Sequence, residues 1–523
     1  MQSYADYVIV GGGSAGCVMA ARLSEDPSCS VLLLEAGGRG RNPLLHIPAG
    51  LPEVLGNRIA DWGYETAPQP ALDGRRLRYP RGRVLGGSSG INAMCYARGD
   101  LSDYDSWGQG WSGAEALHFF KASETHSGGV SQWHGEDGPL HVTRPSWTHP
   151  ATARYLEAGQ QAGHRLVEDF PAPDHDGVGR FDTTTHRGLR CSAARAYLPR
   201  SVRGRPNLTI LTGRSVAAVL FDGMRAAGLR LVDGTEVAAG REVILSAGAI
   251  GTPQILMLSG VGPADHLAEH GIAPVLDIPG VGGNLQDHLD IACMILTRPG
   301  TAVGYAFGTA GQALAAPWAW ARGRTGLLAS NLAEGNGFAH SRDGLSKPDI
   351  QFHFLPALGQ DHGANRNWGR TGVSLHACVL YPKSRGTIRL ASADPGDAPV
   401  IDPAYLSDDG HDLDVLIAAG GMAAEILSQP AFDDIRTGWH QPGTRPESRE
   451  DWERLIRARA ETIYHPVGTA AMGDVTDGEG RVAGMEGLRV VDASLMPKIV
   501  GGNTNAPVIM MAERIARRMA GEG

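Results

Sequence analysis

Tyr7-Val8-Ile9-Val10-Gly11-Gly12-Gly13-Ser14-Ala15-Gly16, near the head of the chain, decides how the rest is read. The first four residues form a short β-branched run, the pattern of a parallel strand buried on both faces. Gly11 then permits a tight turn, and Gly13, with Ser14 and Ala15, lets a pyrophosphate approach the backbone. Gly16 lets the next helix pack closely on the strand. That helix is expected from about Ala15 to Leu23, its free amides and dipole turned toward negative charge. A second apolar strand, Val31-Leu32-Leu33-Leu34, ends in Glu35-Ala36. A carboxylate about 20 residues past the glycines can accept both ribose hydroxyls and would repel a 2′-phosphate. A lone glycine motif says little, but strand, glycines, helix, strand and acid in this order indicate a bound dinucleotide. The motif does not separate FAD from NAD.

The surrounding composition is that of an ordinary globular protein: 523 residues, 42% hydrophobic and 20% charged. That length exceeds one domain, so at least two units are expected, and these can interleave along the chain. The 72 glycines mark turns between apolar runs and form no repeat. A net charge of −9 argues against a nucleic-acid partner. Arg75, Arg76, Arg78, Arg81 and Arg83 lie among glycine and proline, as in a local anion or structural site. The six cysteines show no Cys-x-x-Cys spacing, so neither a metal site nor a disulfide framework is expected, and a reducing compartment suits them. The opening residues lack a signal-peptide pattern, and no long apolar window spans a membrane. A cytoplasmic protein, at most peripheral at the inner membrane, is the expectation.

Two further stretches are rich in small residues. Gly82-Arg83-Val84-Leu85-Gly86-Gly87-Ser88-Ser89-Gly90-Ile91-Asn92 runs on into Ala93-Met94, where consecutive amides can lie against a flat ligand and form an anion-binding nest. Glu242-Val243-Ile244-Leu245-Ser246-Ala247 is a strand leading to Gly248-Ala249-Ile250-Gly251-Thr252-Pro253, where Pro253 suits a first helical turn after a Thr252 cap. Both stretches resemble the two signature segments of the glucose-methanol-choline (GMC) oxidoreductases. The resemblance continues in Asn284-Leu285-Gln286-Asp287-His288, Pro348-Asp349-Ile350-Gln351-Phe352-His353-Phe354, Tyr464-His465-Pro466-Val467-Gly468-Thr469 and Gly502-Asn503-Thr504-Asn505-Ala506-Pro507. It covers essentially the whole chain and has a choline-dehydrogenase-like flavour.

The resemblance implies a mixed α/β fold. A Rossmann-like FAD-binding domain (residues 1–150, 188–298 and 463–523) would interleave with a sheet-and-helix substrate-binding domain (151–187 and 299–462). It chooses FAD over NAD. Ile91 occupies the place where some members carry a flavin-linking histidine, so noncovalent, dissociable FAD is expected. Resemblance also places Val216 at the adenine, and Asp492-Ala493 beside the flavin phosphates, although plain N-capping would explain Asp492 almost as well.

Alcohol oxidation needs a base for the O–H proton and a holder for the carbon that yields hydride to flavin N5. His465 lies in what resembles the family's catalytic-histidine segment and is the candidate base. Asn503, in a place the family fills with His or Asn, is its partner and can stabilise developing alkoxide. Asn505 is expected to cap the last helix, with Pro507 in its first turn and the positive dipole end toward the flavin. Tyr464 and Glu334 are the candidate substrate contacts. Glu334 sits in a stretch resembling one in choline-type relatives, but Gly335-Asn336 departs from that pattern, and a surface glutamate is the plain alternative. Residues 303–328, with Trp318 and Trp320, read first as an internal cap helix, otherwise as a lid or a membrane-facing patch. The expected activity is oxidation of a primary alcohol to an aldehyde, with electrons passed to a quinone or other carrier. An O₂-using oxidase and a non-redox FAD-containing lyase are the alternatives.

Overall fold

Two sheets, joined through several crossings of the chain, carry the architecture of the computed structural model, which describes residues 4–172, 174–359 and 361–521. The first has a parallel core in the order Leu208–Thr212, Val31–Glu35, Tyr4–Val10, Glu236–Leu245 and Leu488–Val490. Val8 lies opposite Leu32 on one side and Val243 on the other, all fully buried. The paired segments Tyr7–Val10, Val31–Leu34 and Val243–Leu245 are apolar throughout because both faces of a parallel sheet are covered there. The N-terminal part of Glu236–Leu245 also leads an antiparallel meander with Arg225–Leu231 and Val216–Asp222. The first helix, Ser14–Leu23, and the last, Asn505–Met519, pack against each other beside this sheet. Arg514, inside the last helix, is buried over Trp111 and paired with Glu115 and Glu479.

The second sheet runs Arg436–Gln441, Leu289–Thr297, Gly372–Val379, Ile350–Leu355, Gly335–Ala339, Gly177–Arg180 and Leu166–Val167, with Glu461–Thr462 also pairing Leu289–Thr297. All its pairs are antiparallel except the last in that order. Helices Pro150–Gln161 and His411–Ser428 pack on it. Here one expectation is corrected. Leu289–Thr297, expected within the nucleotide-binding unit ending at 298, is an interior strand of the second sheet, pairing Cys293 with Leu375. Its residues are almost uniformly apolar, so either sheet could bury them, and pairing alone decides.

Three helical expectations change as well. The helix after the third glycine stretch is Gly248–Leu258, so Pro253 lies inside it and Thr252 is not its cap. A proline there frees the carbonyl one turn earlier. That carbonyl, of Ala249, accepts the Thr469 hydroxyl at 2.6 Å, which explains why the proline is tolerated. Asn505 is the first residue of the last helix, not its cap, and its Oδ1 accepts the Ser14 hydroxyl at 2.7 Å. The helix Ala310–Gly323 is not internal: Leu314 and Trp318 are exposed, as is Phe307 just before it, while Trp320 is held by a hydrogen bond to the Gly188 carbonyl. Among the described residues no helix is long and apolar enough to cross a membrane. All six cysteines are free and buried.

Candidate active site

A cavity of about 680 Å³ opens between the two sheets, within the size range of small-molecule sites. The two glycine loops meet at its floor. A Cβ on Gly87 would lie 2.7 Å from Gly13 Cα, and Gly87 has φ +54, so a side chain there would force the loops apart. Gly86 donates its amide to the Gly12 carbonyl and fixes the approach. A Cβ on Gly16 would come 1.9 Å from the Gly11 carbonyl oxygen, the close strand–helix packing expected of it.

Helices Ser14–Leu23, Gly248–Leu258 and Asn505–Met519 all begin at this cavity. None has a side-chain cap or an acidic residue in its first turn. The first amides of Ser14–Leu23 and Asn505–Met519 therefore face the cavity as positive ends, while that of Gly248 is held by the Asp492 carboxylate. Glu35 accepts the amides of Gly12 (2.9 Å) and Gly37 (2.7 Å), and burial pushes its carboxyl up to about 7. Asp492 accepts the Gly248 amide and the Thr252 and Ser494 hydroxyls.

Of the residues expected to hold the cofactor, Gly11, Gly13, Ser14, Ala15, Glu35 and Ala36 line the cavity, as do Arg83, Gly87, Ser88, Asn92, Ala93 and Met94 from the second loop. Val216, Ala247, Gly248, Asp492, Ala493, Asn503 and Asn505 line it too. Gly16, Leu85 and Gly86 are not in its wall and act behind it. Ile91 is in the wall and packs with Leu45, Val54 and Val84. The cradle fits an FAD. Glycines stand where a Cβ would collide, amide termini where a pyrophosphate needs neutralising, and the Glu35 carboxyl where a ribose needs an acceptor.

At the other end of the cavity His465 and Asn503 come together, with Asn503 Nδ2 3.2 Å from His465 Nε2. Three residues not assigned a role from sequence, His288, His353 and Gln351, complete the arrangement. His288 Nε2 lies 3.0 Å from the Leu380 carbonyl, which can only accept, so that nitrogen carries the proton. Burial holds His288 neutral, down to about 4, so its Nδ1 is a lone pair. That lone pair faces His465 Nδ1 at 2.9 Å, which must then donate. His465 is thereby left with a bare Nε2 turned to Asn503 and the cavity. His353 Nε2 sits 3.3 Å from the same Asn503 nitrogen, while Gln351 donates to Asn503 Oδ1 at 3.3 Å. Burial, then His288, His353 and Arg81, push His465 well below its ordinary value, and burial takes His353 down to about 3.

Asp287 holds this cluster in place. One carboxylate oxygen accepts the amides of His288 (2.9 Å) and His465 (2.8 Å), and the other accepts the hydroxyls of Tyr79, Tyr405 and Thr462. Tyr464 lines the cavity with φ +74, and its carbonyl is held by Arg81 at 2.6 Å. Such left-handed backbone in a bulky residue persists only where its surroundings enforce it. Glu334 is not brought to the site. It is buried outside the cavity wall, accepting the Thr152 and Ser330 hydroxyls and the His149 amide. Its role is to tie the Pro150–Gln161 helix to the second sheet.

The chain is similar over nearly its whole length to known proteins. Two models described as GMC oxidoreductase match residues 5–290 and 382–512. The chain is 45% identical to an alcohol dehydrogenase [acceptor] of Pseudomonas putida, over 98% of this chain and 95% of that one. It is 43% identical to the mitochondrial choline dehydrogenase of Homo sapiens, over 99% and 90%. Among solved structures it superposes on pyridoxine 4-oxidase from Mesorbium loti with a TM-score of 0.89 at 33% identity, covering 99% of this chain and all of that one.

Proposed function

The chain belongs to the GMC oxidoreductase family and is an FAD-dependent enzyme of alcohol oxidation; from that premise we propose that it converts a primary alcohol to the aldehyde, with His465 as base and Asn503 as oxyanion partner. The observation that carries this is the bare, neutral Nε2 of His465 held beside the Asn503 amide in the cavity wall. The substrate hydroxyl would sit between these two groups, giving its proton to His465 Nε2 while Asn503 Nδ2 donates to the oxygen. When bound, FAD supplies the acceptor for the hydride leaving the carbinol carbon. His288 keeps His465 in the tautomer that can accept. The apolar walls at Leu51, Leu55, Leu355 and Leu358 exclude water and take the body of the substrate. With Ile91 in the loop wall, the cofactor is held without a covalent bond. Gly13, Ser14 and Ala15 would hold its pyrophosphate, Glu35 its ribose, and Asn505 and the last helix the flavin end.

Anaerobic mixing of the purified yellow protein with a panel of alcohols tests the reading. Bleaching of the visible flavin absorbance is expected, and no bleaching with any alcohol would overturn it. Turnover without bleaching would instead indicate the lyase.

For the electron acceptor, the exposed Phe307, Leu314 and Trp318, with Arg322 beside Trp318, favour a quinone reached at a membrane surface. The protein would then be cytoplasmic and peripheral. Fast peroxide release under air, with no turnover on a quinone, would exchange this acceptor for O₂.

A further inference from the structure

Arg190 lies behind the second glycine loop, outside the cavity wall and fully buried. Its segment backs that loop directly, because the Ser89 hydroxyl accepts the Ala193 amide at 2.9 Å. No carboxylate among the described residues pairs with the Arg190 guanidinium, which burial alone takes down to about 9, so it is charged at neutral pH. Its partners are all neutral oxygens. Nε donates to the Leu45 carbonyl at 2.8 Å, and Nη1 donates to the carbonyl (2.5 Å) and side-chain Oδ1 (2.8 Å) of Asn92 and, at 3.3 Å, to the Ser89 carbonyl. Nη2 is buried with no hydrogen-bond partner. A cation held in the interior without a counter-charge is costly, and perturbed buried charges of this kind cluster where a site uses them.

Asn92 connects this cation to the cavity. Its Oδ1 accepts Arg190 Nη1 and also, at 3.1 Å, the Met94 amide. Both partners can only donate, so they identify which end of the Asn92 amide is the oxygen. The Nδ2 end has no acceptor among the described residues, and Asn92 is half-buried in the cavity wall. Ala93, next in the chain and also in the wall, packs with Phe181, Ala333 and Leu355, and Phe181 stacks on His353 at 5.2 Å. Asn92 thus stands between the glycine floor of the cradle and the His465–Asn503 end, the stretch that has to take the flavin ring.

We propose that Arg190 is a positioning residue for the flavin: through Asn92 Oδ1 it turns the Asn92 amide nitrogen to the ring, and its unpaired charge raises the flavin's reduction potential. This rests on the alcohol oxidation proposed above and adds a residue that acts on its electron acceptor. Accepting a hydride adds one negative charge to the ring. A fixed cation and an N–H donor beside it therefore favour the reduced form over the oxidised one. Only the Asn92 side chain separates the guanidinium from the cavity, and the buried setting leaves the interaction little screened. The counter-charge that Arg190 lacks in the protein is the one that hydride transfer creates.

The test measures the midpoint potential of the bound flavin against reference dyes during slow reduction with dithionite, which needs no alcohol. It compares the holoenzymes of wild type, Arg190→Met, Arg190→Lys and Asn92→Asp. Arg190→Met is expected to move the equilibrium tenfold to a hundredfold toward oxidised flavin, about 30 to 60 mV more negative for a two-electron couple. Arg190→Lys keeps the charge and should recover most of that shift. Asn92→Asp sets a carboxylate against Arg190 and removes the N–H donor, so a shift of the same sign is expected. Should Arg190→Met not hold FAD, Asn92→Asp carries the test. An unchanged potential in either of these two variants overturns the proposal, and so does an equal shift in the Lys and Met variants. Weaker FAD binding with an unchanged potential would leave Arg190 a purely structural residue and overturn it as well. Failure of every alcohol to bleach the wild-type flavin would strike the proposed alcohol oxidation, while the comparison of potentials would still decide the role of Arg190.

Discussion

His465 is one of 19 histidines, and what separates it from the others is the direction of its lone pair. Replacing it with Ala is expected to leave FAD bound and to slow flavin reduction on the order of 10²- to 10⁴-fold. Stopped-flow reduction on the yellow protein measures this, and fast reduction in the variant would remove His465 as base. His288 acts through His465 by fixing its tautomer, a positioning role. His288→Leu is expected to lower the reduction rate about tenfold or more while KM stays near wild type. His288→Gln, whose amide oxygen can accept from His465 Nδ1, should recover part of that loss. If Leu and Gln variants were equally slow, the hydrogen bond would not be what matters. The family-like segments marked His465 and Asn503 in the sequence, but the His288 segment carried no role. The partnership joins positions 177 residues apart, and no local pattern encodes such a pairing.

At the scale of elements, the glycine loops and the start of the first helix were legible because their signals are short-range: absent side chains, apolar runs, an acid after a strand. The contact between loops was not. Gly87→Ala would place a methyl 2.7 Å from Gly13 Cα at positive φ, so it is expected to part the loops and lower FAD occupancy. Absorbance of the purified variant and the titration of apoprotein with FAD read this directly; full occupancy at wild-type affinity would show that the loops can yield. The Gly248–Leu258 helix was misplaced in the sequence because proline usually marks a first turn. Its interior proline survives on a distant hydroxyl. Thr469→Val keeps shape but leaves the buried Ala249 carbonyl unmet, and is expected to cost about 1–3 kcal/mol in denaturant unfolding. No loss would mean that the carbonyl finds another donor.

Across the whole molecule, burial of charge decides how stability follows pH. His288 and His353 titrate at about 4 and about 3 in the folded protein, against an ordinary 6.5. Below that ordinary value the unfolded chain binds protons that these buried rings refuse, so their contribution falls as pH drops. His134 has the opposite sign. It lies between Glu124 (3.0 Å) and Asp169 (2.9 Å), stacks on His126, and is raised to about 9 as hydrogen bonds to the two carboxylates outweigh its burial. Its stabilisation is complete below 6.5 and is lost as pH rises through about 9. The stability gap between wild type and His134→Gln should therefore be wide near pH 6 and close above about pH 9 in urea melts. A gap independent of pH would mean that the ring is uncharged there. By itself, the sequence determined the dinucleotide cradle, the family resemblance and the two segments that carry His465 and Asn503, since each segment consists of residues adjacent in the chain. Only the tertiary structure decided that Leu289–Thr297 belongs to the second sheet, that Glu334 is a buried tie rather than a substrate contact, and that His288 aims His465. Sheet membership, burial and hydrogen-bond direction are set by strands distant in sequence, and an apolar or acidic residue reads the same in the chain whichever partner it finally meets.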